Sequence, residues 1–146
     1  MKRIITAAAL VLVTAAAPAF ANEPVVTERV KAAFEEEFGG ASLLGWARNG
    51  DFYRATFMLA GTRTEAFFTP RGELAGSIRG VLYNQLPLAV VSSVEKRFTG
   101  IGLVELFEIS NADGTSYLFT LESGNKQYRV RMDANGNMTG KERIRK

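Results

Sequence analysis

The 146-residue sequence contains neither cysteine nor histidine. Without histidine, a Ser–His–Asp or Cys–His catalytic arrangement is excluded, and without both residue types a His/Cys zinc site is excluded as well. The absence of cysteine also excludes disulfides, haem attachment through a cysteine motif and a lipid-modified cysteine after a signal peptide. We therefore predict no metal ion, no cofactor and no disulfide in this protein.

The residues that are present have the composition of an ordinary globular protein. Hydrophobic residues make up 47% of the chain, charged residues 23% and aromatic residues 10%. A disordered chain would be poorer in hydrophobic residues and richer in net charge. We therefore expect a folded core.

The first 21 residues have the three regions of a secretory signal peptide. Lys2 and Arg3 form a positively charged start, residues 4–17 are almost all small or apolar, and Ala19–Ala21 form an A-x-A cleavage site. An uncleaved membrane anchor is the alternative, but the apolar run is shorter than the roughly 20 residues that a spanning helix needs. We expect cleavage before Asn22, which leaves a periplasmic or secreted protein of 125 residues with no membrane span.

Cleavage at this site would leave a nearly neutral protein. The full chain has 18 basic and 15 acidic residues, and the loss of Lys2 and Arg3 lowers the formal net charge from +3 to +1. Proteins that bind nucleic acids neutralise several phosphates with clustered basic residues. The net charge therefore argues against a nucleic-acid partner.

Two stretches of the sequence have the apolar period of an amphipathic helix, and glycines follow each of them. Apolar residues recur every four positions in both stretches, as on the buried face of a helix. They are Val26, Val30, Phe34 and Phe38 in the first stretch, and Val90, Val94 and Phe98 in the second. Thr27 is the predicted N-cap of the first helix, and Pro87 is predicted to lie near the start of the second.

After each helix the apolar period changes from four to two, which indicates β-strands. Turns that contain glycine, asparagine or proline separate the alternating segments. The predicted strands are residues 43–48, 52–59, 64–69, 74–79, 103–109, 116–122, 127–132 and 138–145. Each helix is thus followed by a four-stranded antiparallel meander, and the helices and strands form the two layers of an α+β fold.

The two helix-plus-four-strand segments also match each other in sequence. Phe38 matches Phe98 at an offset of 60 residues, and the later strands match at an offset of 64. Half of the chain would bury too little surface to be stable alone, so the halves should share a core or a continuous sheet. We predict a single domain over residues 22–146, built of two repeats at about 25–80 and 86–146.

A set of motifs occurs in a fixed order that is doubled along the chain. The motifs are Phe38, Trp46, residues 49–57 and residues 70–74 in the first half, and residues 86–87, Phe98, Ile101, residues 113–117 and residues 133–136 in the second. In this order they resemble the motifs of the periplasmic PepSY-like proteins over nearly all of residues 25–145. The resemblance implies a secreted protein with the fold of the β-lactamase inhibitor protein (BLIP), and it brings no catalytic residues with it.

Strand alternation predicts which side chains face the helices and which face away from them. The helix-facing set is Tyr53, Ala55, Phe57, Ala66, Phe68, Tyr117, Phe119, Leu121, Tyr128, Val130 and Met132. The opposite set, our predicted binding residues, is Trp46, Phe52, Arg54, Met58, Phe67, Leu118, Arg129 and Arg131. Aromatic, Met and Arg side chains are enriched in protein interfaces. We therefore predict a non-catalytic module that binds a protein, a peptide or an envelope component, as an inhibitor would, through this sheet face and its hairpin loops.

Other interpretations of the same residues remain open. The apolar side chains on the second face could fill the edges of the sheet, or a homodimer could cover them, as in a self-associating envelope protein. An enzyme that uses carboxylates is a further alternative, although Glu105 and Glu108 are three residues apart on a strand and so should point to opposite faces. Residues 133–137 begin like a calcium loop but lack its spacing, so a hairpin turn is the better interpretation.

Overall fold

The computed structural model describes residues 24–144, so the predicted signal peptide at residues 1–21 lies outside the described residues. One helix followed by four strands occurs twice along the described residues. The elements are α1 (Glu28–Glu37), β1 (Ser42–Asn49), β2 (Phe52–Leu59), β3 (Thr62–Phe68), β4 (Leu74–Gly80), a 3-10 turn (Tyr83–Gln85), α2 (Leu88–Arg97), β5 (Gly102–Asn111), β6 (Gly114–Ser123), β7 (Lys126–Asp133) and β8 (Met138–Ile144).

All eight strands form one antiparallel sheet in chain order, from β1 at one edge to β8 at the other. The join between the halves is the β4–β5 pairing, in which Ile78 lies opposite Ile109. The predicted strands are confirmed with small differences at their ends, and the expectation of a continuous sheet is confirmed as well. The segment between the two halves, residues 81–86, is not a free loop, because it contains the 3-10 turn and ends at the buried Leu86.

Local sequence explains where both helices begin and end. The Thr27 hydroxyl accepts a hydrogen bond from the Val30 N–H at 3.3 Å, which confirms Thr27 as the N-cap of α1. α2 begins after Pro87, which provides no side-chain cap. Both helices end in the same way, with the N–H of Phe38 or Phe98 bonded to the carbonyl four residues earlier.

Both helices pack on the same face of the sheet. The strand registers place Phe57, Thr64, Arg79 and Glu108 side by side on this face, so it continues from β2 across the join to β5. The buried cluster under α1 consists of Val26, Val30, Phe34, Tyr53, Ala55, Phe57, Ala66 and Phe68. The buried cluster under α2 consists of Leu86, Val90, Leu106, Tyr117, Phe119, Leu121, Val130 and Met132. The predicted helix-facing residues are confirmed, and Tyr128 alone among them is only half-buried.

Each helix also packs closely against a hairpin turn at a position occupied by glycine. Gly72 and Gly136 both have a φ of +83°, a conformation that favours glycine. A Cβ atom on Gly136 would lie 2.4 Å from the Ala89 carbonyl oxygen at the start of α2. The equivalent atom on Gly72 would lie 3.1 Å from the Arg29 carbonyl oxygen in α1. The helix backbones therefore lie so close to these turns that little room is left for a side chain at either glycine.

Candidate binding surface

The face of the sheet opposite the helices, called the open face below, carries most of the predicted binding residues. Strand alternation places Phe52, Arg54 and Met58 of β2 on it. Leu118 of β6 and its partner Arg131 of β7 lie on the same face, as does Arg129. All six of these side chains are partly exposed. The structure therefore brings them to one surface, although they span the sheet from β2 to β7.

The prediction that Trp46 lies on this face is wrong. Trp46 pairs with Ala55 and packs on the helix side, with ring centroids 5.7 Å from Phe34 and 6.1 Å from Phe68. The cause is a β-bulge after Leu43, where one extra residue enters the strand. Strict alternation from Leu43 would place position 46 on the open face, and the extra residue moves it to the other one.

The prediction that Phe67 is an accessible contact is also wrong. Phe67 does lie on the open face, but it is fully buried there together with Ile109. Its partners on the neighbouring strands are Arg54 of β2 and Gly76 of β4. The covering side chains are Phe52, Ala75, Ile78 and Leu118. A second, small core thus lies beneath the accessible residues of the open face.

Two neighbouring grooves lie on the open face, between β3 and β8. One has a volume of about 250 Å³ and lies between β3 and β7, and the other, of about 340 Å³, lies over β7 and β8. Leu118 and Arg129 line both of them. A cross-strand row shows why they form, because it runs from Gly80 through Phe107, Leu118 and Arg131 to Gly140. The large side chains form a ridge, and the two glycines leave space on either side of it.

The arginines of the open face are mostly free of ion pairs. Arg129 binds Glu142 on the neighbouring strand at 3.1 Å. Arg54, Arg63 and Arg131 form no ion pair with any described residue. The Nε atom of Arg54 is buried and has no hydrogen-bond partner within residues 24–144.

Sequence reasoning missed part of this surface. Phe107, Ile109 and Gly80 belong to the open face, but none of them was among the predicted binding residues. The signal was present, because positions 105, 107 and 109 alternate along β5. A second bulge after Leu103 shifts the beginning of that strand and obscures the pattern.

The carboxylates that an enzyme could use do not converge. Glu105 lies on the open face and accepts a hydrogen bond from the Thr120 hydroxyl at 3.3 Å. Glu108 lies on the helix side, where it binds Arg79 at 2.9 Å and accepts a hydrogen bond from the Tyr117 hydroxyl at 3.3 Å. Burial and the neighbouring Glu108 raise the pKa of Tyr117. The opposite orientation of the two glutamates is as predicted.

The calcium-like segment is a hairpin turn between β7 and β8. The Asp133 carboxylate accepts hydrogen bonds from the N–H groups of Asn135 and Asn137 at 2.9 and 3.0 Å, and from the Asn137 side-chain amide at 3.0 Å. These bonds, led by that of the Asn137 amide, lower the pKa of Asp133. In residues 24–144 there is no group of three or more acidic side chains that could hold a metal ion.

Comparison with known proteins defines the fold. A search of family models found no match, and a search of curated proteins found none either. Solved structures do match. A provisionally assigned periplasmic protein from Bacteroides eggerthii aligns with a TM-score of 0.77 at 16% identity, covering 83% of this chain and 91% of its own. A DUF2874 family protein from Bacteroides uniformis aligns with a TM-score of 0.76 at 14% identity, covering 82% and 90%.

A BLIP-like protein from Bacteroides fragilis also matches, with a TM-score of 0.76 at 16% identity over 84% of this chain and 89% of that protein. Identities this low show a shared fold and nothing more. The chain therefore has a BLIP-like α+β fold, as the resemblance implied. None of the helices in the described part of the chain is long and apolar enough to cross a membrane.

Proposed function

We propose that this chain is a non-catalytic periplasmic or secreted module that binds a protein or peptide segment through the open face. The observation that carries the proposal is the combination on that face of a Phe107–Leu118 ridge, two grooves and three arginines that form no ion pair with any described residue. Exposed apolar groups next to free arginines are typical of protein interfaces. Among the described residues, no helix covers this face.

The proposed location rests on sequence and is consistent with the structural matches. The start of the chain has the order of regions found in signal peptides. One structural neighbour is provisionally assigned to the periplasm. Membership of the PepSY-like family, which the motif order favours, belongs to the same proposal. Secretion of the protein with removal of residues 1–21 would be visible as a mature chain that begins at Asn22.

We also infer that the domain arose by duplication of one helix-plus-four-strand unit. The irregularities of the two halves support this better than their regular elements do. Bulges follow Leu43 in β1 and Leu103 in β5, 60 residues apart. The glycine turns at Gly72 and Gly136 are 64 residues apart and share the same φ of +83°. Independent segments would have no reason to place their irregularities at the same points.

Photo-crosslinking in the periplasm tests the binding proposal directly. A benzophenone amino acid is placed at Met58 or at the exposed Thr139, both on the open-face side, and at the exposed Ser92 on α2 as a control. We expect a discrete adduct with another protein from the first two positions and none from Ser92. Arg131→Glu should remove the adduct, whereas the charge-matched change Arg97→Glu on α2 should not.

The other interpretations predict different results. An adduct of twice the chain mass indicates self-association through the open face. Adducts of equal yield at Met58 and Ser92, or no adduct at any position, would contradict the proposed binding surface. Because the variants alter exposed or partly exposed side chains, thermal unfolding should be nearly unchanged and serves as the folding control.

A further inference from the structure

A third groove lies on the helix side, away from the open face, between the second half of α2 and strands β5 and β6. Its volume is about 280 Å³. The apolar part of its lining is formed by Val94, Phe98, Ile101, Leu103, Phe119 and Leu121. Tyr83, Glu95 and Thr99 form the polar part. Neither the proposed function nor the fold requires a groove here.

The first half of the molecule shows what normally fills this space. At the matching point under α1, the Phe57 ring lies 5.1 Å from the Phe34 ring and 4.7 Å from the Phe38 ring. In the second half, Val94 and Leu121 stand where Phe34 and Phe57 stand in the first. Phe34 is 2% exposed, whereas Val94 is only partly buried. The smaller side chains of Val94 and Leu121 leave the space of the groove, while Phe119, which stands at the position of Ala55, adds one ring to its lining.

The polar edge of the groove carries an acceptor without a cationic partner. The Glu95 carboxylate accepts a hydrogen bond from the Tyr83 hydroxyl at 2.6 Å and forms no ion pair with any described residue. On the sheet side, the Lys141 ammonium lies over the rings of Phe98 and Tyr128, 5.9 and 5.1 Å from their centroids. It does not line the groove.

We propose that this groove binds a small aromatic molecule that carries an amine, with its ring between Val94 and Leu121 and its ammonium group at Glu95. The ring restores contacts of the kind that Phe34 and Phe57 supply in the first half. Apolar pockets with a few well-placed polar groups are the usual form of small-molecule sites. The charge of Glu95 selects an ammonium or N–H group over a carboxylate.

Titration of the isotope-labelled protein with three ligands that share one ring tests the proposal by NMR. The ligands are tryptamine, which is cationic, indole, which is neutral, and indole-3-acetate, which is anionic. We expect the amide shifts to map to the groove residues and the affinity to fall in that order. Because the carboxylate is exposed to solvent, each step should be at most about fivefold.

Two kinds of variant separate the ring contact from the charge contact. Val94→Phe with Leu121→Phe restores the rings of the first half and should weaken all three ligands at least tenfold. Leu103→Trp fills the groove from its exposed edge and should do the same without altering the core. Glu95→Gln should leave indole binding unchanged and remove the preference for tryptamine.

Several results would overturn the proposal. They are the absence of shifts at millimolar ligand, shifts that map to the open face instead, and unchanged binding in the Leu103→Trp variant. An affinity order that survives Glu95→Gln would overturn the charge contact alone. Thermal unfolding of each variant serves as the control for folding.

Discussion

The two halves of the described chain have the same order of elements but differently composed cores. Under α1, five aromatic rings contact one another, and the Phe34 ring lies within 6.5 Å of four others. Under α2, valine, leucine and methionine occupy most of the matching positions, and Phe119 is the one fully buried ring. The same backbone arrangement therefore tolerates two ways of filling a core, provided that the apolar pattern is kept.

The parts of the halves that do agree are those that set backbone geometry. Both first strands contain a bulge at the same point, and both final hairpins bring a positive-φ glycine against a helix. Side-chain volume can be exchanged between neighbours in a core, whereas a left-handed residue or a close backbone approach leaves little choice of residue. The conserved geometry of the two halves therefore lies in glycines and bulges rather than in rings.

The largest expected effect distinguishes the two cores. Phe34→Ala removes a buried ring with four aromatic neighbours, and we expect it to lower the free energy of unfolding by about 3–5 kcal/mol. Val94→Ala removes two methyl groups from a partly exposed site and should cost about 1 kcal/mol. Urea unfolding measures both. If Phe34→Ala leaves no folded protein, Phe34→Leu allows the same comparison, because we expect it to lower the free energy of unfolding by only about 1 kcal/mol. Equal losses from the two alanine variants would show that the cores do not differ in packing.

The glycine turns give the next largest effect. Gly136→Ala places a Cβ atom 2.4 Å from the Ala89 carbonyl oxygen and also puts alanine in a left-handed conformation. We expect it to lower the free energy of unfolding by about 3 kcal/mol. Gly124→Ala has a similar φ but open space around it, so it should cost only about 1 kcal/mol. Gly72→Ala, with its nearest atoms at 3.0 and 3.1 Å, should fall between the two. A loss at Gly136 no larger than at Gly124 would mean that α2 can move away from the turn.

Helix capping gives a smaller difference between the halves. Thr27→Ala removes the hydroxyl that caps α1, and we expect it to lower the free energy of unfolding by about 1 kcal/mol. Thr27→Ser keeps the hydroxyl and should be close to the unaltered protein. Because α2 has no side-chain cap, Pro87→Ala should not show a comparable loss of capping. Thermal unfolding of the three variants checks this order.

The smallest effect concerns pH and the two helix-contacting turns. In the β3–β4 turn the Thr69 hydroxyl accepts the Glu73 N–H at 3.1 Å, whereas in the β7–β8 turn the Asp133 carboxylate takes that role. The pKa of Asp133 is lowered from 3.8, so its contribution to stability is present above that pH and is lost as the pH falls through the lowered value.

NMR titration of the carboxyl groups measures this pKa directly. Asn137→Ala removes the largest cause of the lowered pKa and should move it back toward 3.8. The amide signals of Asn135 and Asn137, whose N–H groups donate to the Asp133 carboxylate, should change as this carboxylate takes up a proton. An Asp133 pKa at or above 3.8 in the unaltered protein would contradict the hydrogen bonds described here.

Individual residues show how far the sequence could predict this molecule. Period and turn residues were sufficient for both helices, all eight strands, the Thr27 cap and the helix-facing residues, because these depend on neighbours within a few positions. Trp46 and Phe67 were misassigned for reasons that lie outside their own strands. The first depends on an extra residue in β1, and the second on covering side chains contributed by β2, β4 and β6.

The grooves could not be predicted from the sequence either. The row from Gly80 to Gly140 combines residues from five strands, and the groove beside Glu95 combines the 3-10 turn, α2 and two strands. Local sequence by itself determined the elements and the side of the sheet on which the helices pack, since each follows from short-range periodicity. Only the tertiary structure decided which residues of the open face are accessible and where space remains, because accessibility depends on side chains contributed by distant strands.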